Sequence, residues 1–235
     1  MPSGPRIVQT RKTRLLRTLP ETPQTSAAIK DSTARACLIA RDALSNLGEY
    51  LDDPSPLALL TVKQCEAELD KMERMMDEVL PAAITRVSEQ KARELIASLR
   101  FIGDLERIGD LAWWVTQRVK VIRPEIQTRD LKNLRSMVKI EVELIDIIYG
   151  GFVSGDARSA QSVILRDKEI DNARNDIFDY HLHGKARRTS QSLTDILFVA
   201  QALERVGDHV TNLAEELIHL VEQRSIRHLP KKDEA

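Results

Sequence analysis

The sequence predicts an all-α protein of two tandem antiparallel three-helix bundles, six long helices related by an internal repeat, and three observations carry that prediction. The composition favours helix: of 235 residues, 42% are hydrophobic, 30% charged and only 4% aromatic, with nine Gly and nine Pro. Long stretches are built from Ala, Leu, Ile, Glu, Arg, Lys and Gln, which are strong helix formers. A six-residue motif recurs, LERIGD at 105–110 and LERVGD at 203–208, an offset of 98 residues. The apolar residues around both copies also keep one spacing. Phe101, Leu105, Ile108, Ala112, Val115, Val119 and Ile122 alternate steps of four and three, as do Val199, Leu203, Val206, Val210, Leu213, Leu217 and Leu220. That alternation places each set on one stripe of a helix, so each copy contains a long helix with the same buried seam.

The elements follow in order. Residues 1–25 read as a basic, disordered arm, because Arg6, Arg11, Lys12, Arg14 and Arg17 precede the first acid, Glu21, among Pro2, Pro5, Pro20 and Pro23. The sharper alternative is an arm that docks an acidic partner, a membrane surface or nucleic acid. The first repeat, 26–125, is expected to hold helices Ser26–Asp52, Pro56–Leu80 and Ser88–Ile122. Asp53-Pro54-Ser55-Pro56 separates the first two, and Pro81 marks the loop before the third. Arg123-Pro124 ends the unit, and Pro124–Thr128 forms the hinge. The second repeat, 126–228, is expected to hold Thr128–Val153, Asp156–His181 and Arg188–Arg227, before a tail at 229–235. Gly150, Gly151 and Gly155 lie near its first turn, and His183-Gly184-Lys185 marks its second.

Several function classes find no support. The net charge of −1 gives no bias toward nucleic acid, and a DNA-binding reading rests on the arm alone. Residues 1–18 contain no apolar leader segment, and no run approaches the roughly twenty apolar residues of a membrane span. Cys37 and Cys65 form no close pair, which suits a reducing cytoplasm. Catalysis is not expected: no Gly-x-Ser-x-Gly element and no phosphate-binding glycine loop occurs, and all five His lie in the second half. His181-Leu-His183 is a weak metal pair. A carboxylate-bridged di-metal oxidoreductase needs two Glu-x-x-His motifs facing the core, and only Glu216-Leu-Ile-His219 fits.

The acids carry the chemistry. With the seam buried, Glu204 and Asp208 are expected on the outer face of their helix, next to Gln201, Thr211 and Glu215. Glu106 and Asp110 are expected in the equivalent places of the first copy, each pair four residues apart on one side of the helix. Glu66/Asp70 and Asp167/Asp171 repeat that spacing on the preceding helices. Like charges so placed repel by a few tenths of a kcal/mol. Four matched pairs point to a cation between them; the alternative is a solvated face bridged by arginines. Carboxylate oxygens suit Mg²⁺, Mn²⁺ or iron, with Zn²⁺ also possible. Gly109 and Gly207 precede the motif Asp residues, where glycine costs a helix about 1 kcal/mol, so a neighbouring helix or bound group is expected to approach closely there. Arg107 and Arg205 are then expected to pair with acids of the neighbouring helix. Of the adjacent Trp113 and Trp114, at least one must point away from the seam.

LERIGD and LERVGDHVTNLAEEL resemble the signature helix of the PhoU family, and the resemblance spans about Ala28 to Val221. It implies tandem three-helix bundles with metal clusters on their outer surfaces. It also implies a cytoplasmic negative regulator of phosphate acquisition, linking a phosphate transporter to a membrane sensor histidine kinase. The expected assembly is a homo-oligomer, a dimer, which meets the membrane only through partners. Carried over by position, the metal ligands are Glu106 and Asp110, with Asp104 joining them, and Glu204 and Asp208. Glu66, Asp70, Asp167 and Asp171 come from the second helix of each unit. The metal is expected to be iron, Mn, Mg or Zn. The sequence departs from the family in two places: the first copy has Leu111 and Trp114 where the second has His209 and Asn212, and Asp104 is matched by Ala202. A metal-free helical adaptor that binds other proteins shares the same fold.

Overall fold

The computed structural model describes residues 26–183 and 191–222. Six helices run α1 Ser26–Asp52, α2 Pro56–Ile84, α3 Glu89–Ile122, α4 Thr128–Ser154, α5 Ala160–Leu182 and α6 Gln191–Glu222. A single 3₁₀ turn, Arg123–Glu125, fills the hinge between the units. The helix starts follow capping chemistry. Ser55 Oγ accepts from Ala58 N at 3.1 Å with Pro56 in the first helical position, and Ser88 Oγ accepts from Lys91 N at 3.5 Å. Gly155 ends α4 in the left-handed region, φ 70°, which glycine adopts without the usual Cβ clash.

Two boundaries differ from expectation. Pro81 does not mark a loop: it lies inside α2, which continues to Ile84. The missing N–H falls in the last turn on an exposed surface, where losing one bond is least costly. The fifth helix begins at Ala160, not Asp156. Asp156 instead closes a turn, accepting from Arg158 N at 2.9 Å and pairing with its guanidinium. The arm at 1–25, the Gly184-Lys185 loop, the expected helix ends at Arg188 and Arg227, and the tail at 229–235 lie outside the described residues.

Within each unit the three helices pack on one another. Between units, α3 lies against α6 and α1 against α4. Both pairings are antiparallel: Arg100 and Arg118 of α3 meet Glu216 and Asp195 of α6, while Arg41 and Asp52 of α1 meet Asp146 and Arg135 of α4. The apolar stripe is the reason. Phe101, Leu105, Ile108, Ala112, Val115 and Val119 have no exposed surface, nor do Val199, Leu203, Val206, Val210, Leu213 and Leu217. Phe101 of α3 stacks on Phe152 of α4 with centroids 4.9 Å apart, so the two units share one core. The outer helices α2 and α5 pack chiefly on their own unit's helices, which leaves the α2/α3 and α5/α6 faces to carry the repeated acids. Among the described residues no helix is long and apolar enough to cross a membrane.

Candidate metal centre

Gly109 sits where α3 meets α2. A Cβ there would stand 2.7 Å from Leu69 Cδ1 and 3.6 Å from Glu66 Cα, so the glycine lets the two helices approach closely. Gly207 does the same between α6 and α5, where a Cβ would meet Ile170 Cδ1 at 2.9 Å and Asp167 Oδ1 at 3.4 Å. The close approach brings the acids of adjacent helices together. In the first unit, carboxylate oxygens of Asp70, Glu73 and Glu106 all lie within 4.8 Å of one another. Ligands of a single ion at about 2.0–2.6 Å stand no farther apart than roughly 5 Å, so these three are within reach of one cation. Asp110 and Glu66 border the group: the Asp110 charge raises both Glu106 and Glu66, and Asp70 raises both as well.

Glu106 is the centre of the cluster. It is 7% exposed, and its Oε2 accepts no hydrogen bond. Arg107 Nε lies 3.3 Å from that oxygen without hydrogen-bond geometry. Burial, then repulsion from Asp110, Glu73 and Asp70, pushes the Glu106 carboxyl up to about 7, against the opposing pull of Arg107. Glu73 and Glu66 are also raised, burial being the main cause in each. A buried, unsatisfied carboxylate facing further hard oxygen donors suits a divalent or iron cation. The residues of the first unit therefore fit the metal that the resemblance implies.

The structure redistributes the expected ligands. Asp104 does not join the first cluster. Two residues before Glu106, it is turned about 200° around α3, toward α6. There Asp104 Oδ1 lies 2.8 Å from His209 Nδ1 and accepts from Asn212 Nδ2 at 3.4 Å. The His and Asn positions missing from the first copy are thus used across the seam by the second. Glu106 is buried and not on an outer face. Arg107 pairs within its own helix, at 3.4 Å from Asp110, and not primarily with α2. Glu73 was missed, though Asp70-x-x-Glu73 places it one turn along the same face.

In the second unit Asp167 is buried, Asp171 and Glu204 are half-buried, and Asp208 is exposed. Glu204 accepts from Gln201 Nε2, and its Oε1 lies 3.5 Å from Arg174 Nη2. Burial and Asp208 raise the Glu204 carboxyl, while Arg174 lowers it. Among the described residues the other histidines do not converge. His181 is buried against Asp130 at 2.9 Å, His183 is exposed beside Asp179, and His219 Nδ1 stands 3.9 Å from a buried Glu216 that Arg100 holds at 3.1 Å. Trp113 packs partly against the core, whereas Trp114 is 37% exposed beneath the Arg118 guanidinium, 5.3 Å from its ring centre.

Comparison with known proteins agrees with this architecture. The PhoU domain model matches the chain twice, at residues 33–119 and 134–217. A phosphate-specific transport system accessory protein PhoU homolog of Rhizobium meliloti is 30% identical over 161 residues, 65% of this chain and 66% of that protein. The homolog of the same name from Pseudomonas aeruginosa is 27% identical over 199 residues, covering 82% and 81%. Among solved structures, PhoU from Pseudomonas aeruginosa superposes with a TM-score of 0.75 at 22% identity, covering 84% of this chain and 97% of that one. The phosphate transport system regulatory protein PhoU from Streptococcus pneumoniae gives 0.76 at 16% identity, covering 86% and 97%. A domain matched once in each half, on helices that the repeated LER(I/V)GD motif places in the same phase, makes this chain a member of the PhoU family.

Proposed function

We propose that this protein is a regulatory accessory factor of phosphate transport, and that it holds a metal ion through the carboxylates of its first α2/α3 face. The curated relatives are named as accessory proteins of the phosphate-specific transport system, which supports the transport half of the reading. The single observation behind the metal half is the Asp70, Glu73 and Glu106 cluster around a buried carboxylate. When bound, the ion would neutralise part of five carboxylates, Glu66, Asp70, Glu73, Glu106 and Asp110, and tie α2 to α3. The chain's own residues do the rest: Gly109 sets the helix spacing, Glu106 anchors the centre, and the exposed Arg74 and Arg107 can swing aside. A phosphate transporter and a membrane sensor histidine kinase are the partners that such a face would engage, with the chain acting as a cytoplasmic homodimer.

One observation favours the metal-free adaptor instead. Arg74 Nη1 already lies 2.6 Å from Asp70, and Arg107 approaches both Glu106 and Asp110, so arginines offset part of the charge without metal. Two measurements separate the readings. Elemental analysis of the purified protein by plasma mass spectrometry, after incubation with Mn²⁺, iron or Zn²⁺, should find stoichiometric metal that the Glu106→Ala/Asp110→Ala variant lacks. Deleting the gene should derepress phosphate uptake, and the same variant should restore repression poorly. No metal, with full complementation by a folded variant, would leave the adaptor.

A further inference from the structure

The two repeats are not equivalent at the acidic face. Aligning α2 with α5 through Glu66/Asp167 and Asp70/Asp171 sets Glu73 of the first unit opposite Arg174 of the second. The first face thus gathers five carboxylates; the second repeats four of them, Asp167, Asp171, Glu204 and Asp208, with the Arg174 guanidinium beside Glu204. Arg174 is held in place. Its side chain is 25% exposed, its Nη2 stands 3.5 Å from Glu204 Oε1, and its guanidinium carbon lies 5.3 Å from the centre of the Phe178 ring. We infer that the first repeat alone loads metal, and that the Arg174 guanidinium is the resident cation of the second. This rests on the metal reading proposed above.

The other arginines do not blur the distinction. Arg107 has an equivalent in Arg205, so it is common to both repeats. Arg74 bridges Asp70 but is 63% exposed, an i, i+4 pair on the outer side that solvent can replace. Arg174 differs because an aromatic ring backs it; the residue equivalent to Phe178 in the first unit is Asp77. An ion bound to Glu204 at about 2.0–2.6 Å would lie within roughly 6 Å of that guanidinium and be repelled. The cation beside Glu106 is less confined: Arg107, 3.3 Å from the buried Glu106 Oε2, is 58% exposed and makes no hydrogen bond to that oxygen.

The experiment loads the full chain with Mn²⁺, removes the excess and counts metal per chain by plasma mass spectrometry. Four variants are read beside it: Glu106→Ala/Asp110→Ala, Glu204→Ala/Asp208→Ala, Arg174→Glu and Arg174→Gln. The expected result is unchanged metal in the Glu204/Asp208 variant, none in the Glu106/Asp110 variant, and about twice the wild-type content in Arg174→Glu. If Arg174→Glu loses its helical circular dichroism, Arg174→Gln decides, since it removes the charge without adding a ligand. It should show a Mn²⁺-dependent rise in Tm larger than that of the wild type. Loss of half or more of the metal in the Glu204/Asp208 variant, or no gain from either Arg174 change, would overturn the inference. Metal absent from the wild type but acquired by Arg174→Glu would sink the first-repeat reading and leave the role of Arg174 standing. Metal absent from every protein would sink both.

Discussion

Glu141 of α4 has no exposed surface, and neither of its carboxylate oxygens has a hydrogen-bond partner among the described residues. Burial therefore pushes its pKa well above the ordinary 4.5, so folding favours its protonated form. In the unfolded chain the same group ionises as pH rises past about 4.5. The unfolded state then binds fewer protons than the folded one, and stability falls with rising pH above that point. Glu141→Met removes the buried polar group at similar volume and should gain about 1–3 kcal/mol at pH 8. The gain should shrink at pH 5, and thermal unfolding at the two pH values measures the difference. Glu106 follows the same sign: raised to about 7, it makes the metal-free protein less stable as pH climbs from about 4.5 to 7. Glu106→Gln should flatten that slope in denaturant titrations without metal. Of these residues only Glu106 was legible beforehand, because repetition marks it. Glu141 belongs to no motif, and its burial arises from packing between helices distant in sequence. Glu73 was visible as one turn from Asp70, yet nothing in the second copy echoes it.

At the scale of the helix, two glycines make opposite predictions. Gly150 lies inside α4 with nothing within 4 Å of where a Cβ would stand, so Gly150→Ala should stabilise the protein by about 0.5–1 kcal/mol through helix propensity alone. Gly109→Ala gains the same propensity but drives a methyl into the buried Leu69, and overpacking of that kind costs about 1–3 kcal/mol. Gly109→Ala should therefore fall below Gly150→Ala by at least about 1 kcal/mol in chemical denaturation, and it should widen the α2/α3 gap that the acids share. The helices were largely legible because periodicity and caps agree, as at Ser55-Pro56 and Ser88. Pro81 misled because proline near a helix end breaks only a surface bond, which local sequence does not distinguish from a loop. Asp156 misled because its side chain competes for backbone N–H groups and holds a turn ahead of α5.

The molecule as a whole is held by its antiparallel α3/α6 and α1/α4 seams, which no periodicity within one helix could reveal. Asp104 shows the limit. Its type and spacing placed it with Glu106, and only the docking of the second unit shows that it serves His209 and Asn212. Asp104→Ala should cost about 1–2 kcal/mol of global stability while leaving metal content unchanged, which thermal unfolding and elemental analysis check together. The α3/α6 seam has the form of a two-fold self-pairing, in which every contact would ordinarily occur twice. Here the Asp104–His209 contact occurs once: the positions related to Asp104 and His209 by the 98-residue offset are Ala202 and Leu111. A pair of first units would set Asp104 against Leu111, and a pair of second units would set His209 against Ala202. Neither self-pair completes that hydrogen bond, so at this contact the two halves of the chain recognise each other and not a copy of themselves.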